Sequence, residues 1–330
     1  MDFEFTEEQR WLAQSVDELL TREPADRLWQ SLVEFGALEV GGDEGLGVVE
    51  QAVVARAVGA HLAAVAYAET AAAHAVVDLG GRSVAACVSE PGRAFAPSDP
   101  STSLGNGRVT GEKTGVAYGA KAELLAVPAM AEDAVVLAFV PPDGVTITPE
   151  PTLDEAMAPT SIHLDGALIE RVVPDRAAVD SFAAVGGVLV AAEAVGAAAT
   201  MFELAREYAS QRRQFGRTIG SFQAVRHLLA DQYVQLESAW SSVLYAAASL
   251  DEREQDAART ASIAKAYAAR ATQSVAHGAL QVFGGIAFTA EHPGHRYLRR
   301  IVVRGTHFGS ARDHERSLGR TLARAVEVLV

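Results

Sequence analysis

A basic, glycine-containing segment in the C-terminal half carries residue types that bind phosphate. It runs from Arg212 to Gln223 with the sequence RRQFGRTIGSFQ. The guanidinium of Arg212 is a planar fork that pairs well with phosphate oxygens, and Gly216 permits a tight backbone turn. The amides of Gln214 and Gln223 offer further hydrogen bonds, and Phe215 can pack against an aromatic or apolar surface. The alternative interpretation is a solvated turn between two helices.

Two further segments have residue types that suit an anionic ligand. Gln281 precedes the pair Gly284-Gly285, and paired glycines at a helix end let backbone amides approach a ligand without obstruction. An ordinary glycine C-cap is the alternative. Ser310 follows a glycine at the start of the last predicted helix, where a helix N-terminus favours an anion. A simple N-cap is the alternative there.

Acidic and imidazole side chains near these segments are the candidates for proton transfer. Glu193 lies within an apolar stretch and is interpreted as a polar contact within or between helices. His307 and the run Asp313-His314-Glu315 could supply a base, but we interpret them as surface residues of an amphipathic last helix. No three His or carboxylate residues have the spacing of a metal site, so the sequence predicts none.

The elements that must position these residues change character twice along the chain. Helical periodicity covers residues 1–82, short strands cover 83–175, and long helices return over 176–330, which predicts an α+β fold of three domains. The last domain resembles a four-helix bundle. Its helices are predicted at 182–211, 221–250, 254–284, 292–303 and 309–329. Strands are predicted at 83–88, 124–130, 134–140, 145–147 and 161–164, with a hairpin at 105–110.

Composition limits the class of protein. The 330 residues are 49% apolar, which excludes general disorder. The net charge of −14 argues against nucleic-acid binding, although a local arginine cluster can still bind an anion. The acidic N-terminus does not resemble a signal peptide. The most apolar stretch, 183–200, contains glycines and Glu193 and is interpreted as a buried helix rather than a membrane span. These features predict a cytoplasmic protein.

Taken together, the motifs resemble the acyl-CoA dehydrogenase family. The resemblance covers nearly the whole chain and is carried by Ser89-Glu90-Pro91, Gly111–Thr114, Arg212–Asp231 and Gln281–Thr289. It implies the family fold, with a helical domain, a β-domain and a helical bundle. It also implies FAD as cofactor and α,β-desaturation of an acyl-CoA thioester as reaction. In the family, the Arg212 segment reaches the diphosphate and adenine side of FAD in a neighbouring subunit. The cofactor contacts implied here are Arg212, Gln214, Phe215, Gln223, Gln281, Gly284, Gly285 and Ser310.

The sequence departs from the family where the catalytic base belongs. Most members place a glutamate directly before the last helix, and that position is Phe308 here. A smaller branch places its glutamate near the start of the first C-terminal helix, and that position falls near Gly186. Neither residue can take a proton, so no catalytic residue is assigned. Gly115 replaces a tryptophan that shields the flavin ring in the family.

This pattern resembles the short subunit of actinobacterial heterotetrameric (α2β2) acyl-CoA dehydrogenases. The resemblance implies a full-length partner subunit that supplies the base, and activity only in the complex. Two alternatives stay open: a self-sufficient homo-oligomeric dehydrogenase or flavin oxidase with a displaced base, and a non-catalytic scaffold subunit without flavin. The sequence leaves the acyl or sterol specificity and the electron acceptor undetermined.

Overall fold

Four helices form the N-terminal region. The computed structural model describes residues 5–39 and 46–328. Thr6 caps the first helix: its hydroxyl accepts a hydrogen bond from the amide of Gln9, and the Gln9 side chain accepts one from the amide of Thr6, both at 3.1 Å. The helices are α1 (Glu7–Arg22), α2 (Leu28–Glu34), α3 (Val48–Ala60) and α4 (Tyr67–His74).

A mostly antiparallel sheet follows in the region where short strands were predicted. Its strands are β1 (Val84–Ala86), β2 (Ser103–Gly105), β3 (Arg108–Val116), β4 (Leu124–Ala131), β5 (Ala134–Val140), β6 (Thr146–Pro149), β7 (Thr160–Leu168) and β8 (Arg171–Val173). The strand order is β6-β7-β3-β2-β4-β5-β8, and β1 pairs with β4 in parallel. The predicted hairpin joins β2 to β3, with Asn106 and Gly107 both at positive φ (50° and 70°). The sequence pattern missed β8, which pairs along the edge of β5.

Long helices complete the chain. They are α5 (Arg176–Gln211), α6 (Gln223–Asp251), α7 (Ala257–Phe283), α8 (Gly294–Arg304) and α9 (Ala311–Val328). Helix α5 begins six residues before the predicted position 182, because the Asp175 carboxylate accepts a hydrogen bond from the amide of Ala177 at 2.8 Å and caps the helix there. The mixed α+β fold, with helices before and after the sheet along the chain, confirms the predicted fold class.

Helix α5 lies at the centre of the molecule and contacts α3, α4, α6, α7, α8 and β5. Its packing against α3 is closest at two glycines. A Cβ at Gly59 would lie 1.9 Å from the carbonyl oxygen of Glu193, and a Cβ at Gly196 would lie 1.9 Å from that of Arg56. Among the described helices, α5 alone is long and apolar enough to cross a membrane, but 83% of its most apolar window is buried inside the protein. Its apolar side chains therefore form part of the hydrophobic core.

Candidate functional site

The Arg212 segment forms a two-stranded hairpin between α5 and α6. Strands β9 (Arg213–Gln214) and β10 (Arg217–Thr218) are antiparallel, and the turn between them holds Phe215 at φ 51° and Gly216 at φ 78°. Two successive residues at positive φ form the tight turn that suits a two-residue hairpin loop. The sequence predicted a turn here but not its strands, since two residues per strand are too few for a periodic pattern.

The hairpin holds its functional side chains out in solvent. Phe215 is 91% exposed. Arg213 donates a hydrogen bond to the carbonyl oxygen of Gly216 at 2.8 Å, and the Arg217 guanidinium lies 4.0 Å from the ring centre of Phe222. The guanidinium of Arg212 is exposed and has no side-chain partner among residues 5–39 and 46–328. It is therefore free to bind an anion from outside this chain.

The two predicted glutamine contacts of this segment are also exposed. Gln214 donates from its amide nitrogen to the carbonyl oxygen of Arg213 at 2.8 Å, which keeps the side chain folded along the hairpin. Gln223 is the first residue of α6 and its side chain faces solvent. Both amides are thus accessible to a ligand at the hairpin.

The glycine pair at the end of α7 lies at the same end of the helical bundle. Gly284 has φ 63° and ψ −140°, and a Cβ on either Gly284 or Gly285 would have no heavy atom within 4 Å. Gln281, one turn earlier, is exposed. Tyr208 near the end of α5 and Phe283 at the end of α7 have ring centres 5.8 Å apart. The hairpin and the glycine pair therefore adjoin, and both present accessible polar groups.

Ser310 lies far from this group. It forms a cap with Asp313: its amide and hydroxyl donate to the Asp313 carboxylate at 3.0 and 2.6 Å. The neighbouring Phe308 contacts α5 at Gly186, which is 22 residues before Tyr208. At 1.5 Å rise per residue, Gly186 and Tyr208 are about 33 Å apart along α5. The structure therefore does not bring Ser310 together with Arg212 within one chain.

Gly186 and Phe308, the two positions at which the resemblance predicts a base in the family, meet at one point, and neither is a carboxylate. A Cβ on Gly186 would lie 2.2 Å from Cε1 of Phe308, so the phenyl ring occupies the space beside the glycine. Phe308 is 1% exposed and packs edge-on against Phe182 at 5.6 Å. Its carbonyl oxygen accepts a hydrogen bond from Nε2 of His314 at 2.9 Å. An apolar contact thus joins the two positions at which the resemblance predicts a base.

The prediction that His307 and His314 are surface residues is wrong. His314 is 9% exposed and holds the Phe308 carbonyl. His307 accepts a hydrogen bond at Nδ1 from Arg304 at 3.1 Å. Burial lowers the pKa of both imidazoles, and nearby cations lower that of His307 further. Helical periodicity could not reveal this, because the residues before α9 fold back onto α5. Glu315 is exposed as predicted and pairs with Arg270.

Glu193 is a structural ion-pair partner, as interpreted from the sequence. Its carboxylate is fully buried, 3.2 Å from Arg300 Nη1 and 2.8 Å from Arg304 Nη2. Burial raises the pKa of Glu193, while the two arginines oppose that shift. Arg300 also pairs with Asp154 at 2.5 Å, and Arg304 pairs with Glu69. This network ties α8 to α5, α4 and the loop before β7.

A cleft of about 420 Å3 lies between the sheet and the turn that joins α8 to α9. Ser89, Thr114, Gly115, His307 and Phe308 are among its lining residues. The amide of Gly115 donates to the carboxylate of Glu150 at 3.1 Å, and the glycine has φ 63° and open space where a Cβ would stand. The cleft therefore lacks a large side chain at the position where the family has tryptophan.

The wall of this cleft is held by a buried ion pair between two of the family motifs. Lys113 Nζ donates to Glu90 at 2.9 Å, and Ser101 and Thr102 donate to the same carboxylate from amide and hydroxyl. Burial alone would raise the pKa of Glu90, but these hydrogen bonds hold it well below its ordinary value. The sequence identified both motifs but not their contact.

Comparison with known proteins agrees with this fold, and the chain belongs to the acyl-CoA dehydrogenase family. A family model for the acyl-CoA dehydrogenase C-terminal domain matches residues 177–322. The acyl-CoA dehydrogenase FadE27 of Mycobacterium tuberculosis is 34% identical over 90% of this chain and 88% of its own length. FadE28 of the same organism is 31% identical over 91% and 93%.

Solved structures extend the likeness to chains from complexes. A chain of the ChsE4-ChsE5 complex from Mycobacterium tuberculosis has a TM-score of 0.86 at 28% identity, with 98% of this chain and 99% of that chain covered. A chain of the Tcur3481-Tcur3483 steroid ACAD G363A variant has a TM-score of 0.86 at 24% identity, with 97% and 99% covered, and shows the fold alone. The family and the resemblance predicted from the sequence are confirmed, and FAD is the cofactor of this family.

Proposed function

We propose that this chain is one subunit of a heteromeric, FAD-dependent acyl-CoA dehydrogenase whose catalytic base stands on a partner subunit. The observation that carries the proposal is the contact between Phe308 and Gly186, which fills both family base positions with apolar atoms. A general base must lie within hydrogen-bond reach of the proton that it removes. Among the described residues, the carboxylates that line the cleft beside Phe308 are those of Glu69 and Glu150. Glu69 pairs with Arg304, and Glu150 accepts hydrogen bonds from Thr114, Gly115 and Ser161, so we propose that the base comes from outside the chain.

The hairpin and the glycine pair fit the diphosphate half of FAD. Arg212 offers an unpaired guanidinium, and the open space at Gly284 and Gly285 leaves backbone amides accessible. When bound, FAD accepts the hydride that leaves the β-carbon of an acyl-CoA while a base takes the α-proton. In this proposal the chain holds the adenine-diphosphate side through Arg212, Gln214, Phe215, Gln223, Gln281, Gly284 and Gly285.

The distance along α5 supports a site shared between chains. Arg212 follows Tyr208 near the end of α5, whereas Ser310 lies next to Phe308, which contacts α5 at Gly186. These two positions on α5 are about 33 Å apart, calculated from the helix rise. The hairpin points away from the chain, with Phe215 at 91% exposure. A flavin held by the hairpin therefore has its reacting ring against another subunit. In this proposal Ser310 contacts a different flavin from that held by Arg212.

The relatives support the class of reaction and of assembly. FadE27 is an acyl-CoA dehydrogenase, and ChsE4-ChsE5 is a complex of two proteins. We propose an acyl-CoA thioester as substrate and, from the resemblance to the short subunit of actinobacterial α2β2 dehydrogenases, a lipid- or sterol-derived acyl group. The proposed assembly is α2β2 with a full-length acyl-CoA dehydrogenase. The cytoplasmic location remains a prediction.

Co-expression tests the proposal. The chain is purified alone and together with full-length acyl-CoA dehydrogenase homologues from the same genome, and flavin absorbance and acyl-CoA-dependent dye reduction are measured. We expect a colourless, inactive lone chain and a yellow, active complex. The partner's glutamate at the family base position is changed to glutamine as a control, and this change should abolish activity while flavin stays bound.

Other outcomes would refute the proposal in distinct ways. A yellow lone chain with full activity would show a self-sufficient enzyme with a displaced base. A complex in which flavin content does not depend on this chain would show a scaffold subunit.

A further inference from the structure

The cleft of about 420 Å3 beside Gly115 has mostly apolar walls. Its lining includes Val88, Ala117, Val303 and Phe308, and a Cβ on Gly115 would meet no heavy atom within 4 Å. Cavities of roughly 300–1,000 Å3 with apolar walls and a few polar groups are typical sites for small molecules. The flavin contacts proposed above lie elsewhere, at the hairpin and the glycine pair. The cleft therefore offers space for a ligand of its own.

A second pocket, of about 170 Å3, adjoins this cleft. Leu153 lines both spaces and is 58% exposed. Helix α8 runs past both, because Arg296 and Arg299 line the small pocket and Val303 lines the cleft, at spacings of three and four residues on one helix face. Arg296 and Val303 are about 10 Å apart along the helix, calculated from its rise. We call the cleft and the small pocket together the α8 groove.

Unpaired guanidinium groups line the small pocket of this groove. Arg296 and Arg299 are exposed, and neither side chain forms a hydrogen bond or ion pair with another residue that the structure describes. Arg300 also lines the pocket, but it pairs with Asp154 at 2.5 Å. The remaining charged residue of the lining is Glu155, so the pocket carries one net positive charge. Since guanidinium groups bind a carboxylate through parallel hydrogen bonds, the pocket suits one monoanionic head group.

The cleft carries the opposite charge. Its lining contains two carboxylates, Glu69 and Glu150, and no lysine or arginine among the described residues. Glu69 pairs with Arg304. Burial would raise the pKa of Glu150, but its hydrogen bonds, the largest from Ser161, hold that pKa below the ordinary value. Burial lowers the pKa of His307, the third ionisable group of the lining, so this imidazole is uncharged. An anionic head group is therefore repelled from the cleft and attracted to the small pocket.

We propose that the α8 groove binds a monoanionic amphiphile, an apolar chain that ends in a free carboxylate. The apolar chain lies in the cleft, and the carboxylate lies between Arg296 and Arg299. The site goes beyond the dehydrogenase function and needs no partner subunit. An acyl-CoA is a poorer ligand for it, because its acyl chain ends in an uncharged thioester that leaves both guanidinium groups without a partner. A cationic amphiphile brings its charge beside the arginines and is disfavoured.

Calorimetric titration with dodecanoate, below its micelle concentration, tests the site in the full-length chain, free and in the co-expressed complex. We expect dodecanoate to bind, dodecyltrimethylammonium to bind more weakly, and an equal concentration of dodecanoyl-CoA not to displace dodecanoate. Absence of dodecanoate binding, or equal affinity for the two head groups, would overturn the proposal. Displacement by dodecanoyl-CoA would assign the groove to the dehydrogenase substrate instead. A chain that binds dodecanoate only after a bound flavin is removed would assign the cleft to the flavin ring.

A pair of matched double substitutions tests the arginines. Arg296→Ala combined with Arg299→Ala should weaken dodecanoate binding about tenfold, because two exposed ion pairs are lost, and should leave dodecan-1-ol binding unchanged. Arg312 and Arg316 are exposed on α9 and lie outside the groove lining, so Arg312→Ala combined with Arg316→Ala should have no effect. Equal losses in the two double variants would refute the proposed head-group site.

A second matched pair tests the path between the small pocket and the cleft. Leu153 and Leu168 are 58% and 63% exposed, but Leu168 lies at the end of β7 and does not line the groove. Leu153→Glu should weaken dodecanoate binding about tenfold through like-charge repulsion, whereas Leu168→Glu should not. Both positions are on the surface, and circular dichroism checks that each variant is folded. Unchanged binding in Leu153→Glu would show that the chain does not cross from one space to the other.

Discussion

Replacement of Gly186 by alanine probes the contact that closes the base position. Alanine in a helix interior is about 0.5–1 kcal/mol more favourable than glycine. Here the added methyl would lie 2.2 Å from Cε1 of Phe308, and this ring is 1% exposed and packed against Phe182. Forcing such a group into a filled core costs about 1–3 kcal/mol. We therefore expect Gly186→Ala to lower the free energy of unfolding by about 1 kcal/mol.

Gly187 provides the control for this substitution. It is buried in the same helix, but a Cβ there would meet no heavy atom within 4 Å. Gly187→Ala should therefore stabilise the protein by about 0.5–1 kcal/mol through helix propensity alone. Urea unfolding followed by circular dichroism, at fixed protein concentration, measures both values.

A double-mutant cycle assigns the effect to the phenyl ring. Phe308→Ala alone should cost about 3–5 kcal/mol because it leaves a cavity. In that background the methyl of Gly186→Ala enters empty space and should no longer destabilise, giving a coupling energy of about 2 kcal/mol. If Gly186→Ala stabilises the protein as much as Gly187→Ala, the two base positions do not meet, and the argument for a missing base fails.

Two further predictions concern buried and exposed cations. Lys265 is 1% exposed and donates to the carbonyl oxygens of Arg304 and Gly305, and burial, with Arg304 nearby, lowers its pKa to about 7. Between pH 7 and the ordinary lysine pKa of about 10.4 the unfolded chain binds more protons, so stability should rise with pH. The rise should total several kcal/mol relative to Lys265→Met, measured by urea unfolding, and parallel pH curves would contradict it. Arg212→Ala should weaken FAD retention by about 1.5–3 kcal/mol, the value of a charge-assisted hydrogen bond, whereas the exposed Arg299→Ala should not. Flavin released during dialysis of the complex measures this loss, and equal release from both variants would exclude the role of Arg212.

The sequence predicted the elements best where local physics alone decides them. The strand predicted at 134–140 matches β5 without change, because an uninterrupted apolar run between turn residues has few other solutions. The hairpin turn at Asn106-Gly107 was also predicted correctly, since it depends on residues within four positions. The start of α5 was predicted too late because 176–181 lack an apolar pattern and depend on the Asp175 cap. The β9–β10 hairpin was missed because its strands have two residues each, which is too few for a periodic pattern, and its turn determines the fold of this segment.

The candidate site shows the same difference between features that depend on local sequence and features that depend on long-range contacts. The sequence by itself determined the motifs that identify the family and the basic hairpin segment. It also determined that positions 186 and 308 are glycine and phenylalanine rather than glutamate, because these features depend only on which residue stands at each position. Only the tertiary structure decided that Phe308 lies against Gly186, 122 residues earlier, that His314 is buried, and that His307 is half-buried beside Arg304. Contacts between residues so far apart in sequence arise from packing around α5, which no local pattern records.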